Sequence, residues 1–180
     1  MSEIVSAEEK KKILDRVEQR AASYLYEYVG CAQCVLLALQ EEFDFPGGLG
    51  AVKASSFNGA GIARMGEACG ILIGCIMALA LASGRENLED PPFPEPGVVD
   101  EATGLPKSLV RVRNFYQRAV EMLGDNTCRG LQAKWFGKVY DLVNPEEYKE
   151  FSEVSTLKCS EMAGKVARLA AETILEMPRR

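Results

Sequence analysis

The stretch ACGILIGCIMALALASG, from Ala68 to Gly84, runs for 17 residues without a charged side chain. A helix that spans a membrane needs about 20 predominantly apolar residues. This stretch is shorter, it contains three glycines, and it is bounded directly by Glu67 and Arg85. We therefore predict a helix over residues 66–82 that is buried in a protein core rather than in lipid, and no membrane span.

The segments on either side also carry apolar residues at helical spacing, and none alternates as a strand would. Ser6 and Glu9 have the spacing of a capping box before a first helix. A proline-rich loop, 86–106, holds five of the eight prolines. The sequence predicts a single all-α domain over residues 1–180, a bundle of about five main helices joined by short ones. The predicted helices run from the Ser6 cap to Tyr28, over 31–43, 66–82 and 108–123, from Cys128, from Pro145, and over 156–177.

Charge and the N-terminus limit the classes of partner. The net charge is −5 and the 21 lysines and arginines are scattered along the chain, whereas phosphate binding needs clustered cations. We therefore expect no nucleic-acid partner. The first twenty residues are strongly charged and lack the apolar core of a secretory signal. We expect a cytoplasmic protein, in which thiols stay reduced.

The chain contains no histidine and six cysteines. The absence of histidine excludes Ser-His-Asp and Cys-His catalysis, zinc sites with histidine ligands, and CxxCH attachment of haem. We therefore expect no haem. Any special chemistry is expected at the cysteines, which are Cys31, Cys34, Cys69, Cys75, Cys128 and Cys159.

Four of the cysteines are predicted to lie at helix starts. The N-terminus of a helix carries a partial positive charge and unpaired N–H groups, and both favour the thiolate that attacks electrophiles or binds metals. Cys34 follows Cys31 at CxxC spacing and is either a further ligand or a core residue. Cys75 lies in an apolar run and is interpreted as a small buried hydrophobe. The four candidate site residues are Cys31, Cys69, Cys128 and Cys159.

Small residues recur at every fourth position of the predicted 66–82 helix: Gly66, Gly70, Gly74, Ala78 and Ala82. Each interior glycine costs a helix roughly 1 kcal/mol relative to alanine, so the stripe needs a reason. Either a neighbouring helix packs closely against it, or a cofactor or thiol partner lies against Gly70 and Gly74. Both interpretations remain open from the sequence.

The cysteine order resembles that of the C_GCAxxG_C_C family, which is described as redox-active. The resemblance covers residues from Gly30 to about Ala170 and implies that the family cysteines are the four at predicted helix starts. Both motif glycines are present, and Ile71 replaces the motif alanine. The same cysteine pattern is similar to a module of split-Soret cytochromes, which is thought to hold an iron–sulfur cluster beside haem. The matching segments are Cys31-Ala32-Gln33, Gly59-Ala60-Gly61-Ile62, Gly66-Glu67-Ala68-Cys69-Gly70, and single cysteines at 128 and 159.

Three functional hypotheses follow. In the first, the four cysteines ligate an iron–sulfur cluster, Gly70 and Gly74 lie against it, and the protein transfers electrons to a partner protein or senses redox state. In the second, pairs of the same cysteines cycle between dithiol and disulfide, with Cys31 and Cys34 as attacking and resolving thiols. In the third, the cysteines hold a structural zinc ion or belong to the core of a helical interaction module. A homodimer is compatible with each hypothesis.

Overall fold

The computed structural model describes residues 6–92 and 97–177, and its regular structure is helical throughout. Seven α-helices and one short 3₁₀-helix, Ser56–Asn58, lie within these residues, together with two isolated β-bridges. The α-helices are α1 (Ala7–Tyr28), α2 (Cys31–Phe43), α3 (Gly48–Ala54), α4 (Gly70–Ser83), α5 (Lys107–Leu123), α6 (Cys128–Phe136) and α7 (Pro145–Leu175). The all-α class is confirmed, and the expected count of about five main helices is too low.

The longest packing contact joins α1 to α7. Lys10 pairs with Glu176 at 3.4 Å, whereas Asp15 pairs with Arg168 at 2.6 Å. The residue numbers rise along one helix as they fall along the other, so the two helices are antiparallel. The backbones approach closely at Gly164, where a Cβ would lie 2.7 Å from the carbonyl oxygen of Glu18. This pair forms one side of the bundle.

The two predicted helices from Pro145 and over 156–177 form one helix, α7, because Thr156 does not cap a new one. The sequence predicts a helix start at Thr156. Instead, the Thr156 hydroxyl donates to the carbonyl oxygen of Ser152 at 2.6 Å, and the Ser152 hydroxyl donates to that of Tyr148 at 2.8 Å. These are bonds to the preceding turn of a continuing helix. The true cap is Asn144, whose side chain accepts from the N–H groups of Glu146 and Glu147.

The uncharged stretch from Ala68 to Gly84 forms α4, which begins at Gly70 rather than at Gly66. Its buried residues include Ile71, Leu72 and Leu79, so the helix lies in a protein core. Among the described residues, no helix combines the length and the apolar character needed to cross a membrane.

The connection between α4 and α5 contains no helix in its described residues, 84–92 and 97–106. An isolated bridge pairs Val99 with Pro106. Residues 93–96, which hold two of the five prolines of the predicted loop over 86–106, lie outside the described residues. The loop is therefore seen only in part.

Close packing of α4 on α2 accounts for the glycine spacing. A Cβ at Gly74 would lie 2.5 Å from the carbonyl oxygen of Ala32, and one at Gly70 would lie 2.9 Å from the Cβ of Cys31. Real side chains do not tolerate such distances to backbone atoms. The packing interpretation of the stripe is therefore sufficient for Gly74, while Gly70 also lies next to a candidate site cysteine.

We predict that Gly74→Ala destabilises the protein. The added methyl group must push α4 away from α2, which we expect to lower the free energy of unfolding by about 1–3 kcal/mol. Gly50→Ala is the matched control, because a methyl group on this exposed glycine of α3 would have no atom within 4 Å. The control is expected to be neutral or to stabilise by up to about 1 kcal/mol. Denaturant unfolding checks both variants, and equal stability of the two would contradict the packing account.

Candidate functional site

A cavity of about 490 Å³ lies between α2, the 3₁₀-helix, the start of α4, α6 and the middle of α7. All four candidate cysteines line it, although they come from four separate helices or helix caps. Gly70 lines it as well, whereas Gly74 does not. The structure thus brings together the residues Cys31, Cys69, Cys128 and Cys159.

Three of these cysteines lie at helix starts as expected. Cys31 and Cys128 are the first residues of α2 and α6, and Cys69 is the N-cap of α4. Cys159 is different, because it lies in the interior of α7 and the expected helix start at this position is wrong. Its place in the cavity results from the face of α7 that carries Ser152, Ser155 and Cys159, which are spaced by three and four residues.

Polar groups lie beside each of the four sulfur atoms. The backbone N–H of Ala60 lies beside the sulfur of Cys31, and those of Ile71 and Leu72 lie beside the sulfur of Cys69; each lowers the pKa of the thiol it faces. Gln132 donates from Nε2 to the Cys128 sulfur at 3.4 Å, and Ser155 lies beside Cys159. Such donors stabilise negative charge on sulfur.

Burial nevertheless outweighs these donors. It raises the pKa of Cys69 to about 12 and that of Cys128 to about 11, and it raises the pKa of Cys31 and Cys159 as well. Withdrawal from water disfavours the charged thiolate. Burial therefore opposes the thiolate that helix N-termini favour, so that the neutral thiol is the preferred form in the protein on its own.

The four thiols also influence one another. A charge on Cys31, Cys69 or Cys128 disfavours ionisation of Cys159, and a charge on Cys31 raises the pKa of the Cys69 and Cys128 thiols. Such effects require that the sulfur atoms share one poorly solvated region. The four sulfur atoms are therefore close enough that a charge on Cys31 opposes ionisation of the other three.

The other two cysteines lie outside the cavity lining. The Cys34 thiol donates to the carbonyl oxygen of Val29 at 2.9 Å, so its proton already has an acceptor. Cys75 is fully buried in α4, and burial raises the pKa of its thiol well above the usual value. The structure does not bring Cys34 or Cys75 to the cavity with the other four.

Residues 67–69 and 126–128 pair through an isolated antiparallel β-bridge between Ala68 and Thr127, which holds Cys69 next to Cys128. We call this pairing the clip. The Cys69 N–H donates to the carbonyl oxygen of Asn126 at 2.9 Å, and the Cys128 N–H donates to that of Glu67 at 2.7 Å. The Arg129 side chain fastens the same clip, because it forms an ion pair with Glu67 and donates to the carbonyl oxygen of Met65 at 2.8 Å. These bonds replace the first turn of the helix that was predicted to start at Gly66.

Part of the cavity wall is a left-handed turn of five residues, 60–64, of which all but Ile62 line the cavity. Four of them carry side chains, which cost roughly 1–2 kcal/mol each in this conformation, and strain of this kind persists where surrounding contacts hold it. Gly59, Gly61 and Gly66 indicate an irregular segment at this point of the sequence, but nothing about Ile62 indicates a positive φ. The φ angles are +52° at Ala60, +74° at Gly61, +61° at Ile62, +49° at Ala63 and +66° at Arg64.

Among the described residues, no three cysteine, aspartate or glutamate side chains lie close enough together to hold a single metal ion. The four thiols instead line one cavity. Among the described residues that line it there is no carboxylate, and Arg64 is the one charged side chain. The donor set is thus four sulfur atoms with nearby N–H groups, in a poorly solvated cavity.

We predict that Cys128 in metal-free protein reacts slowly with iodoacetamide near neutral pH, because only the thiolate reacts and little of it is present. With a pKa of about 11, about one thiol in a thousand is ionised at pH 8, against about a quarter for an ordinary cysteine. The rate constant is expected to rise about tenfold per pH unit from pH 8 to pH 10, measured by mass spectrometry of the Cys128 peptide. Glutathione in the same tube is the control, and a profile that flattens near pH 9 like that of glutathione would contradict a raised pKa.

We also predict that Arg129→Gln loosens the clip. The variant loses the ion pair with Glu67 and the bond to Met65, so the amides of Cys69 and Cys128, which donate across the clip, should exchange with deuterium several-fold faster. Arg113→Gln is the control, because this substitution removes the same charge from an exposed position on α5. Hydrogen exchange followed by mass spectrometry measures both, and unchanged protection in Arg129→Gln would show that the backbone bonds alone hold the clip.

Comparison with known proteins places this arrangement in a family. The sequence model described as "Putative redox-active protein (C_GCAxxG_C_C)" matches residues 29–173, which include all four cavity cysteines. No match was found among curated proteins or among solved structures. Because the matched region covers most of the 180 residues, the chain belongs to the C_GCAxxG_C_C family of redox-active proteins.

Proposed function

We propose that Cys31, Cys69, Cys128 and Cys159 together bind one iron–sulfur cluster, and that the protein serves in electron transfer or redox sensing. The observation that carries this proposal is that four thiols from four elements line a single cavity, with no carboxylate among the described residues of its lining. Four cysteine sulfurs are the ordinary ligand set of such a cluster. When bound, a cluster would supply a one-electron redox couple.

The residues around the sulfurs fit this assignment. Ligand sulfurs of a cluster carry negative charge, and hydrogen bonds to them and the solvent exposure of the site tune its potential. The Ala60 N–H beside Cys31 and the Gln132 amide beside Cys128 are donors of this kind. Because Gly70 has no side chain, it would leave space for the cluster beside Cys31. Gly74 does not line the cavity and would contribute to helix packing only.

The raised thiol pKa values also favour a bound group. Buried thiols that are neutral at pH 7 are poor nucleophiles, yet they ionise when they bind metal. Metal binding would therefore release protons, and its affinity should increase with pH. The raised pKa values thus favour the cluster over an exchange reaction between free thiols, which needs a thiolate at the start.

Thiol–disulfide exchange is the second candidate. A charge on Cys31 affects the pKa of Cys34, Cys69, Cys128 and Cys159, so Cys31 has several neighbours with which a disulfide could be formed. In this case the protein would contain no iron, and its thiol count would change in steps of two. A structural zinc site would give colourless protein that contains zinc.

We further propose that the protein works in the cytoplasm with a partner protein that exchanges electrons with it. A reducing compartment keeps the six cysteines as thiols or as metal ligands.

We predict iron and sulfide in stoichiometric amounts in protein purified without oxygen or chelator, with visible absorption that bleaches on reduction with dithionite. Cys69→Ala should lose nearly all of the iron, because it removes one of the four sulfurs. Cys75→Ala is the matched control, since this cysteine of α4 lies outside the cavity lining and its loss should affect stability alone. Elemental analysis and visible spectra check both variants. Iron retained by Cys69→Ala and lost by Cys75→Ala would contradict the ligand assignment.

A further inference from the structure

The cavity extends along α7 beyond Cys159. Its lining runs from Cys159 back to Tyr148, which is eleven residues or about 16 Å of helix. At the Tyr148 end the cavity borders a second buried cluster that contains Phe151, and Cys128 packs against the edge of this cluster. The aromatic side chains of this end have no part in the proposed cluster site.

This second end of the cavity is lined by aromatic rings that pack on one another. The ring of Phe151 lies 6.3 Å from that of Phe136 and 5.6 Å from that of Tyr140. Phe136, Tyr148 and Phe151 line the cavity, and Trp135 does so as well. Rings fixed in this way present flat apolar surfaces on which another planar ring can stack.

Among the described residues that line the cavity, the one charged side chain lies at the same end. The Arg64 guanidinium lies 3.7 Å from the centre of the Tyr148 ring, and it donates to the carbonyl oxygen of Leu142 at 3.3 Å. Arg64 belongs to the left-handed turn, so both its backbone and its head group are held in place. A positioned guanidinium beside apolar surface, with no carboxylate in the lining, favours an anionic ligand.

The cavity has the size and the opening that a small ligand needs. Its volume of about 490 Å³ falls within the range of sites that bind small molecules. Phe57, which also lines it, is 80% exposed, so the cavity opens to solvent.

We propose that the end of the cavity between Arg64 and Phe151 binds a small planar aromatic molecule that carries an anionic group. The rings would stack against the aromatic side chains and the anion would pair with Arg64. The assignment rests on the proposed function in one respect only, in that it leaves the four cysteine sulfurs to the cluster.

The test uses two compounds of nearly equal shape, naphthalene-2-sulfonate and the neutral naphthalene-2-sulfonamide, titrated by calorimetry into the protein as purified. We expect one sulfonate per chain and an affinity about tenfold above that for the sulfonamide, as for a charge-assisted hydrogen bond. Arg64→Gln should abolish this preference and Arg64→Lys should retain part of it. Arg113→Gln, which removes a charge outside the cavity lining, should leave the preference unchanged.

The location of binding has its own readout. Trp135 is the single tryptophan of the chain, so its indole N–H gives one resonance, and this resonance should shift when the sulfonate binds. The shift in the unmodified protein tests the proposal even where an Arg64 variant fails to fold. Absence of binding, equal affinity for the two compounds, a preference that survives Arg64→Gln, or an unmoved Trp135 resonance would each overturn the proposal.

Iron analysis of the same protein separates this proposal from the cluster. Sulfonate binding with the expected Arg64 dependence in protein that holds no iron supports the ligand site and contradicts the cluster. Iron in stoichiometric amount without sulfonate binding supports the cluster and contradicts the ligand site.

Discussion

The contact on which the site depends is the close approach of two helix backbones at Gly70 and Gly74. A Cβ at Gly70 would meet the Cβ of Cys31 and the carbonyl oxygen of Asn58, so the start of α4 can lie against the start of α2 because this residue has no side chain. The approach places Cys69, the cap of α4, beside the first residue of α2. The remaining two cysteines are added to this pair, one through the clip to α6 and one through α7.

Burial gives the site its second property. In protein without metal, the four thiols are neutral, because withdrawal from water destabilises the thiolates by more than the nearby N–H groups stabilise them. A bound cation reverses this balance by supplying the opposite charge. The cavity is thus poorly suited to free thiolate chemistry and well suited to holding sulfur ligands around a metal-containing group, which is why the cluster ranks above disulfide exchange in our proposal.

Much of the fold could be predicted from the sequence, because α1, α2 and α5 have strong apolar periodicity and recognisable ends. The start of α4 could not, because residues 60–64 form a left-handed turn in which Ile62 and Arg64 give no local signal of a positive φ. The length of α7 was also hidden, since a threonine such as Thr156 serves equally as a cap or as a hydroxyl bonded to the preceding turn. Cys159 was therefore chosen as a site residue for a reason that the structure corrects.

The composition of the site could be predicted in part. The spacing of Cys31, Cys69 and Cys128 relative to helix starts singled them out, and the family resemblance selected the same residues with Cys159. The separation of Cys34 from the cavity could not be foreseen, because it depends on a bond to Val29 across a glycine turn. The aromatic end of the cavity was missed as well, since Trp135 and Phe136 have the spacing of ordinary core residues.

The most direct test of the central claim, that four cysteines hold one cluster, is a crystal structure of protein kept free of oxygen, with anomalous diffraction recorded on both sides of the iron absorption edge. We expect one compact iron peak in the cavity, bonded to the sulfurs of Cys31, Cys69, Cys128 and Cys159. An iron peak bound by Cys34 or Cys75, or a cavity in which these sulfurs are joined as disulfides without iron, would contradict the claim.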